Sequence, residues 1–527
     1  MKYIIGSGPA AMSAATAIVD RGQSVTILDV GKKLEAEHEQ LKNRLSETEP
    51  EQWDSRDVQR LKQGMTATTA GVPTKLVYGS NYVYRDTSQA HQLRFDNTKM
   101  TRSFAAGGLS NVWGACIAPY PEREISDWPF PAADLRPHYQ SVLKMMPHSG
   151  CDDDLANHLP LHSDDYQELP LSRQATELLS SMKRHRTQLN DSNIHFGVSR
   201  VAIDAAGKNV ANGHGSGCRL CGLCLYGCPY GLIYSSAKTL ENLRGRAGVR
   251  YFSGVHVEKL VEQQGGVRIK ARELKSGRAV EFIASHVFLG TGILETARII
   301  LESMGHYDKP ITIKHNDKFI FPFLRYRASK GVMTERLHTL SQLFMEINDT
   351  KLAAESVHLQ LYTYNDLFRS ALARKTRFLY PILKFPVRKV LERLIIFFGY
   401  LHSNDSSEIS LTVKSGKPAS ILLEGKPNPV AKQVAKRVVR TLWANRKFLG
   451  GIPAVPSLGL PGDGNHSGGT FPMRRSPGDL ETDSLGRPTG FRHVHIVDAS
   501  VFPSLAAATI TLTAMANAHR IASESIH

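Results

Sequence analysis

The first 29 residues constrain the fold more than any other stretch. Lys2 to Ile5 form a short apolar run and Gly6-Ser7-Gly8-Pro9-Ala10-Ala11 follows. An alanine-rich segment then ends near Asp20-Arg21-Gly22, and Ser24-Val25-Thr26-Ile27-Leu28-Asp29 is again strand-like. Strand, glycine turn, helix and strand at this length make one βαβ unit. Such a turn brings backbone close to a pyrophosphate: Gly6 permits the tight bend, Gly8 leaves room for the phosphates, and the small Ala11 lets helix and strand pack. Asp29 stands at the end of the second strand, where an acid accepts hydrogen bonds from a ribose 2′-hydroxyl, so an unphosphorylated ribose is expected. The motif alone does not separate FAD from NAD.

A chain of 527 residues is too long for one hydrophobic core, and 41% hydrophobic with 22% charged residues is an ordinary globular composition. Two joined domains are expected. The start of the chain runs straight into the glycine turn, unlike a signal peptide, which makes the cytoplasm the default compartment. No run of eighteen apolar residues is present. The net charge of +16 favours an anionic partner: nucleic acid, an acidic membrane or a phosphorylated substrate.

Residues 32–64 are charged and helix-forming and read as a surface insertion. Strands are expected at 251–263, 266–274 and 280–289, a helix at 293–304, strand-like alternation at 340–364, and a strand at 493–498 before a final helix.

Three further segments carry a resemblance. Ala106-Gly107-Gly108-Leu109-Ser110-Asn111-Val112-Trp113-Gly114 looks like a glycine-rich segment passing beside a flavin. Val287-Phe288-Leu289-Gly290-Thr291-Gly292 looks like a later strand ending in a glycine turn, and His495-Ile496-Val497-Asp498-Ala499-Ser500-Val501-Phe502-Pro503 like a second cofactor contact. With the first turn, these resemble the glucose-methanol-choline (GMC) oxidoreductase family from end to end. The resemblance implies FAD, with Gly6, Gly8, Ala11, Asp29, Gly107, Gly108, Ser110, Asn111 and Asp498 about it. It also implies an α/β fold in which a Rossmann-like, doubly wound FAD domain (1–130, 216–309, 455–527) holds an inserted α+β substrate domain (131–215, 310–454).

His466-Ser467-Gly468-Gly469-Thr470-Phe471-Pro472-Met473 resembles the family segment whose histidine takes the substrate's hydroxyl proton. Alcohol oxidation needs such a base, because hydride leaves carbon cheaply only as the hydroxyl deprotonates. His466 is the catalytic candidate. One departure is Ala507, which aligns where most members carry a second catalytic histidine or asparagine and which has no polar side chain.

Cys218-x2-Cys221-x2-Cys224-x3-Cys228-Pro229 has the spacing of bacterial ferredoxin ligands, so these four are candidate ligands of an iron-sulfur cluster (4Fe-4S or 3Fe-4S). A fourth ligand from Cys116 or Cys151, a zinc site, and a metal-free loop of the family type are the alternatives. A cluster would pass electrons singly to a protein acceptor or quinone.

Between Arg369 and Arg393 eight basic residues alternate with large apolar ones, and Leu394-Ile395-Ile396-Phe397-Phe398 follows. With Pro381 and Pro386 breaking a long helix, two short in-plane segments at an anionic membrane surface are one expectation for 369–402, and a buried core helix or a protein interface the other. Nucleic acid is disfavoured, since no binding motif accompanies the charge. The sequence thus predicts an FAD-dependent dehydrogenase oxidising an alcohol, a sugar or lipid-linked sugar ahead of a sterol, peripheral to the inner membrane face if bound there. An oxygen-reducing oxidase without a cluster and an electron-transfer subunit without alcohol chemistry are the rivals.

Overall fold

A parallel sheet and an antiparallel sheet divide the chain between two apolar cores. The computed structural model describes all residues except 65–73, 87–90, 208–216, 371–379, 417–419 and 527. In the parallel sheet the strands run Val494–Ile496, His286–Leu289, Lys2–Ile5, Val25–Leu28 and Val249–Phe252. The first strand of the chain is therefore the middle one, with later strands added on both sides, and the glycine turn opens at its C-terminal end. That is the position where open α/β sheets bind ligands.

Helices Pro9–Val19 and Ile510–Glu524 pack on each other, with the Ser13 hydroxyl donating to the Met515 carbonyl at 2.7 Å. Alanines at 10, 11, 14, 15 and 17 on one helix, and at 514, 516, 518 and 522 on the other, let the two come this close. A doubly wound sheet carries helices on both faces. Here an antiparallel meander of Val255–Gln263, Gly266–Glu273 and Ala279–Ala284 takes part of the cover, its Phe282 ring 5.8 Å from Tyr3.

Two expected strands are each split in this region. The run 251–263 bends at Gly254 (φ 77°), and the run 280–289 leaves the meander for the parallel sheet at Ser285. Apolar residues continue on both sides of each break, so periodicity does not reveal the crossing.

The second sheet has seven antiparallel strands, led in spatial order by Gly451–Pro453, Lys318–Arg325, Leu394–Leu401, Val357–Tyr362, Leu343–Ile347 and Ile194–Val198. Phe319, Phe321, Met345, Leu359, Ile395 and Phe397 all point into its own core. Because strand side chains alternate, the other face carries Lys318, Tyr400, His358, Gln360 and Glu346. A third sheet contains Ile311–His315, Glu408–Lys414 and Ser420–Lys426, whose apolar residues join the core of the parallel sheet. Part of 310–454 thus packs with the nucleotide side.

The end of the basic, apolar stretch follows the buried-core expectation. Leu394–Leu401 is an interior strand whose Ile395 and Phe397 are 0% and 1% exposed, so these residues are core and are not free to enter a lipid surface. Residues 366–370 and Tyr380–Leu391 are helical, and 371–379 between them lie outside the described residues. Pro381 sits in the first turn of Tyr380–Leu391, where no intrahelical donor is lost, and Pro386 forfeits one interior bond. Arg388 and Lys389 pair with Glu392 at 3.2 and 3.7 Å. Arg374, Lys375, Arg377, Phe378 and Leu379 lie outside the described residues. No helix among the described residues is long and apolar enough to cross a membrane.

Candidate active site

A cavity of about 240 Å³ begins at the dinucleotide turn and ends beside His466. Gly6, Ser7, Gly8 and Asp29 line one end, Gly108, Thr291 and Asp498 the middle, and Asn465 and Ser467, which flank His466, the other. The glycines are required by space. Gly6 has φ 93°, and a β-carbon there would lie 2.7 Å from the Gly290 carbonyl oxygen. Gly107 (φ 84°) would meet the Ala237 amide at the same distance. Ala11 is fully buried and faces Gly290 so closely that a β-carbon on the glycine would be 2.8 Å from its own.

Asp29 accepts hydrogen bonds from the Ser7 hydroxyl and, at 3.3 Å, from Tyr251, and burial pushes its carboxyl up to about 6 despite them. A buried acid with that cost is stabilised by further donors, which the hydroxyls of a ribose supply. Asp498 accepts from the Gly292 amide at 2.9 Å, Thr296 at 2.6 Å and the Ser500 amide at 3.0 Å, closing the second glycine turn. Its own carboxyl is pushed up by burial.

Ser110 and Asn111 stand behind the turn and do not line the cavity. The Ser110 hydroxyl donates to the Gly107 carbonyl at 2.6 Å, and the Asn111 amide to the Ala106 and Gly108 carbonyls at 2.9 and 2.8 Å. Both hold the backbone of 106–108 in place.

Sequence reasoning missed a buried ion cluster on the same cavity. Arg102 pairs with Glu295 at 2.7 Å, Arg298 with Glu295 at 2.9 Å, and His256 with Glu295 at 3.3 Å. Burial opposes the Glu295 charge, yet Arg298, His256 and Arg102 together hold its carboxyl well below the usual range. No local motif announces residues drawn from positions 102, 256, 295 and 298.

His466 lies in the loop before Ser467–Gly468. The Asn316 amide donates to its carbonyl at 3.0 Å, and Lys318 anchors the same loop through Asp463, 3.4 Å away. Its ring stacks on Tyr400 with centroids 4.8 Å apart, and Nδ1 has no hydrogen-bond partner among the described residues. Although the ring keeps some accessible surface, protein surrounds it closely; burial, then His358 and Lys318, push its pKa down to about 3. The imidazole is therefore neutral at physiological pH and retains a basic lone pair. Ala507 is fully buried, and its methyl brings no polar group to the site.

The cysteines form no disulfide. Cys218, Cys221, Cys224 and Cys228 lie within electrostatic reach of one another, and burial followed by the neighbouring sulfur of Cys224 pushes Cys218 up to about 12. The Thr339 amide donates to the Cys224 sulfur at 3.4 Å. Among the described residues, however, no three His, Cys, Asp or Glu side chains are placed to hold a metal ion. Cys116, 3.6 Å from the Gln360 amide oxygen, and Cys151 sit in other surroundings. The charged insertion caps the cysteine loop: Leu41, Leu45 and Leu61 pack with Leu223 and Tyr226, Trp53 stacks on Tyr230, and Arg219 pairs with Glu49 at 2.8 Å.

Residues 459–518, which include His466 and Asp498, match the C-terminal family model of the GMC oxidoreductases. No curated protein sequence matches the chain. Among solved structures it is similar to pyridoxine 4-oxidase from Mesorbium loti, at 14% identity and TM-score 0.60 over 99% of this chain and 98% of that one. It is also similar to a formate oxidase, at 12% identity and TM-score 0.62 over 99% and 97%. A formate oxidase variant from Aspergillus oryzae RIB40, studied for FAD modification, matches at 11% identity and TM-score 0.62 over the same shares. At such identities the likeness is one of fold. The chain thus carries a GMC-type C-terminal segment that includes the candidate base, on a fold shared end to end with these oxidases.

Proposed function

We propose that the chain is an FAD-dependent oxidoreductase acting on the CH–OH group of a polar small molecule. The carrying observation is one continuous cavity that runs from Asp29 at the dinucleotide turn to the residues flanking His466. Gly6, Gly8 and the N-terminus of helix Pro9–Val19 would hold the pyrophosphate, Asp29 the ribose, and the backbone about Gly108 the cofactor's far end. Bound FAD supplies the hydride acceptor. His466 takes the hydroxyl proton at a ring nitrogen, and its neutral state leaves that nitrogen ready. Lys318 and Asn316 fix the loop that presents it.

The face of the antiparallel sheet turned toward His466 carries Glu346, His358, Gln360 and Tyr400. A polar face of this kind suits a sugar or other polyhydroxylated substrate better than a sterol or long-chain alcohol. Both solved relatives are named for small polar substrates, in keeping with this choice. For the acceptor, the oxidase titles of those relatives favour oxygen. A second reading keeps an iron-sulfur cluster on Cys218, Cys221, Cys224 and Cys228, favoured by their spacing and by four unpaired thiols gathered in one loop.

The test is to load the full chain with FAD and screen sugars and polyols anaerobically for flavin bleaching, then to admit oxygen or a dye acceptor. Peroxide at one equivalent per turnover supports the oxidase. Iron with acid-labile sulfide and turnover only with dye supports the cluster. Retained FAD with no bleaching by any polar alcohol removes the proposal.

A further inference from the structure

The antiparallel sheet aligns one transverse row of polar side chains across five strands: His195, Glu346, His358, Tyr400 and Lys318 are mutual register partners. At its centre the His358 Nδ1 lies 2.5 Å from the Glu346 carboxylate, with the two side chains 0% and 3% exposed. Two ionisable groups this deeply buried are costly to keep unless they serve each other or a ligand. The pair adjoins the candidate site: His358 is the register partner of Tyr400, their rings 6.3 Å apart, Tyr400 stacks with His466, and His358 lies within electrostatic reach of His466.

We propose that His358, oriented by Glu346, is a second acid–base group of the active centre, contributed by the sheet where the C-terminal segment offers only Ala507. The inference rests on the flavoprotein reading above. With Glu346 as acceptor, Nδ1 of His358 carries the hydrogen and Nε2 the lone pair. Among the described residues Nε2 is met by a long 3.4 Å contact from the Gln360 amide, which Tyr362 holds by donating to its oxygen at 3.1 Å. A substrate hydroxyl that displaces this amide meets two basic nitrogens, on His466 and His358. When carbon loses hydrogen with two electrons as hydride, the C–O bond becomes a carbonyl and the O–H proton passes to one of these nitrogens. The other stays hydrogen-bonded to the same oxygen.

The ionisable neighbours of His358 are Glu346 and, one strand further, His195; Tyr400 and Lys318 on the other side; and His466, which stacks with Tyr400. Glu124 and His158 lie beyond Glu346.

The experiment measures the midpoint potential of bound FAD against pH for the full-length holoprotein and for His358→Gln and Glu346→Gln, with FAD content checked in each. A group that exchanges a proton on flavin reduction bends this curve. The wild-type curve should show a bend that His358→Gln abolishes and that Glu346→Gln moves to lower pH by about one unit or more, as loss of a carboxylate partner does to an imidazole. Curves that superimpose on wild type in whichever variants fold with full FAD would overturn the proposal. A wild-type protein that takes up no FAD on reconstitution would overturn the reading beneath it and the proposal together.

Discussion

The dinucleotide cradle and the sheet that roofs the active centre are built by opposite means. The cradle is made by removing side chains: Gly6, Gly8, Gly107, Gly108 and Gly290 expose backbone, and one acid, Asp29, lines the cavity beside the turn. The roof is made by adding them, with a row of polar groups taken one from each of five strands. The heart of the first, Gly6, Gly8 and Asp29, can be written in 29 consecutive residues. The second exists only when strands spread over more than 200 positions align in one register.

The sharpest way to break the contrast is at Gly6. Gly6→Val sets a β-carbon against the Gly290 carbonyl in a backbone conformation that β-branched residues avoid, so purified protein should hold less than about a tenth of the wild-type FAD. Full FAD content, read from the absorption spectrum, would mean that the cradle tolerates side chains. Phe397 tests the sheet itself. It is 1% exposed, with its ring 5.0 Å from Phe321, and Phe397→Ala should lower unfolding stability by about 3–5 kcal/mol. A loss under about 1 kcal/mol in denaturant titration would return this strand to the surface role that the sequence suggested.

The double reading of that stretch has a physical origin. Leu394-Ile395-Ile396-Phe397-Phe398 follows a basic stretch, and apolar residues beside cations read alike whether they meet lipid or a sheet core. The same limit hid the His358–Glu346 pair and the Arg102–Glu295–Arg298 cluster, since nothing local links their members. What was legible was local: the βαβ turn, the glycines at 107–108 and 290–292, Asp498 and the His466 segment. The cysteine spacing was equally legible, yet spacing does not fix where the sulfurs point, and no three of them converge on a metal ion.

Two smaller effects sharpen the comparison within the cradle. The Asp29 carboxyl titrates near 6 in the folded apoprotein against an ordinary 3.8, so its folded pKa is raised. Its contribution to stability is therefore complete below pH 3.8 and lost as pH rises through 6, by roughly 3 kcal/mol in all. Asp29→Asn should flatten that slope in apoprotein unfolding curves between pH 4 and 7; an unchanged slope would assign the pH dependence elsewhere. Ser110 braces the turn without lining the cavity, so Ser110→Ala should cost about 1 kcal/mol of stability while FAD content stays at wild-type level. Loss of FAD in that variant would move Ser110 into the cofactor's contacts.

The central claim is that His466 is the base at the far end of a flavin cavity. Anaerobic stopped-flow mixing of the FAD-loaded protein with a polar alcohol that bleaches it, repeated with His466→Ala, tests this most directly. The account predicts that the variant keeps its FAD and that bleaching slows by about 10²- to 10⁴-fold. Bleaching at the wild-type rate would contradict it.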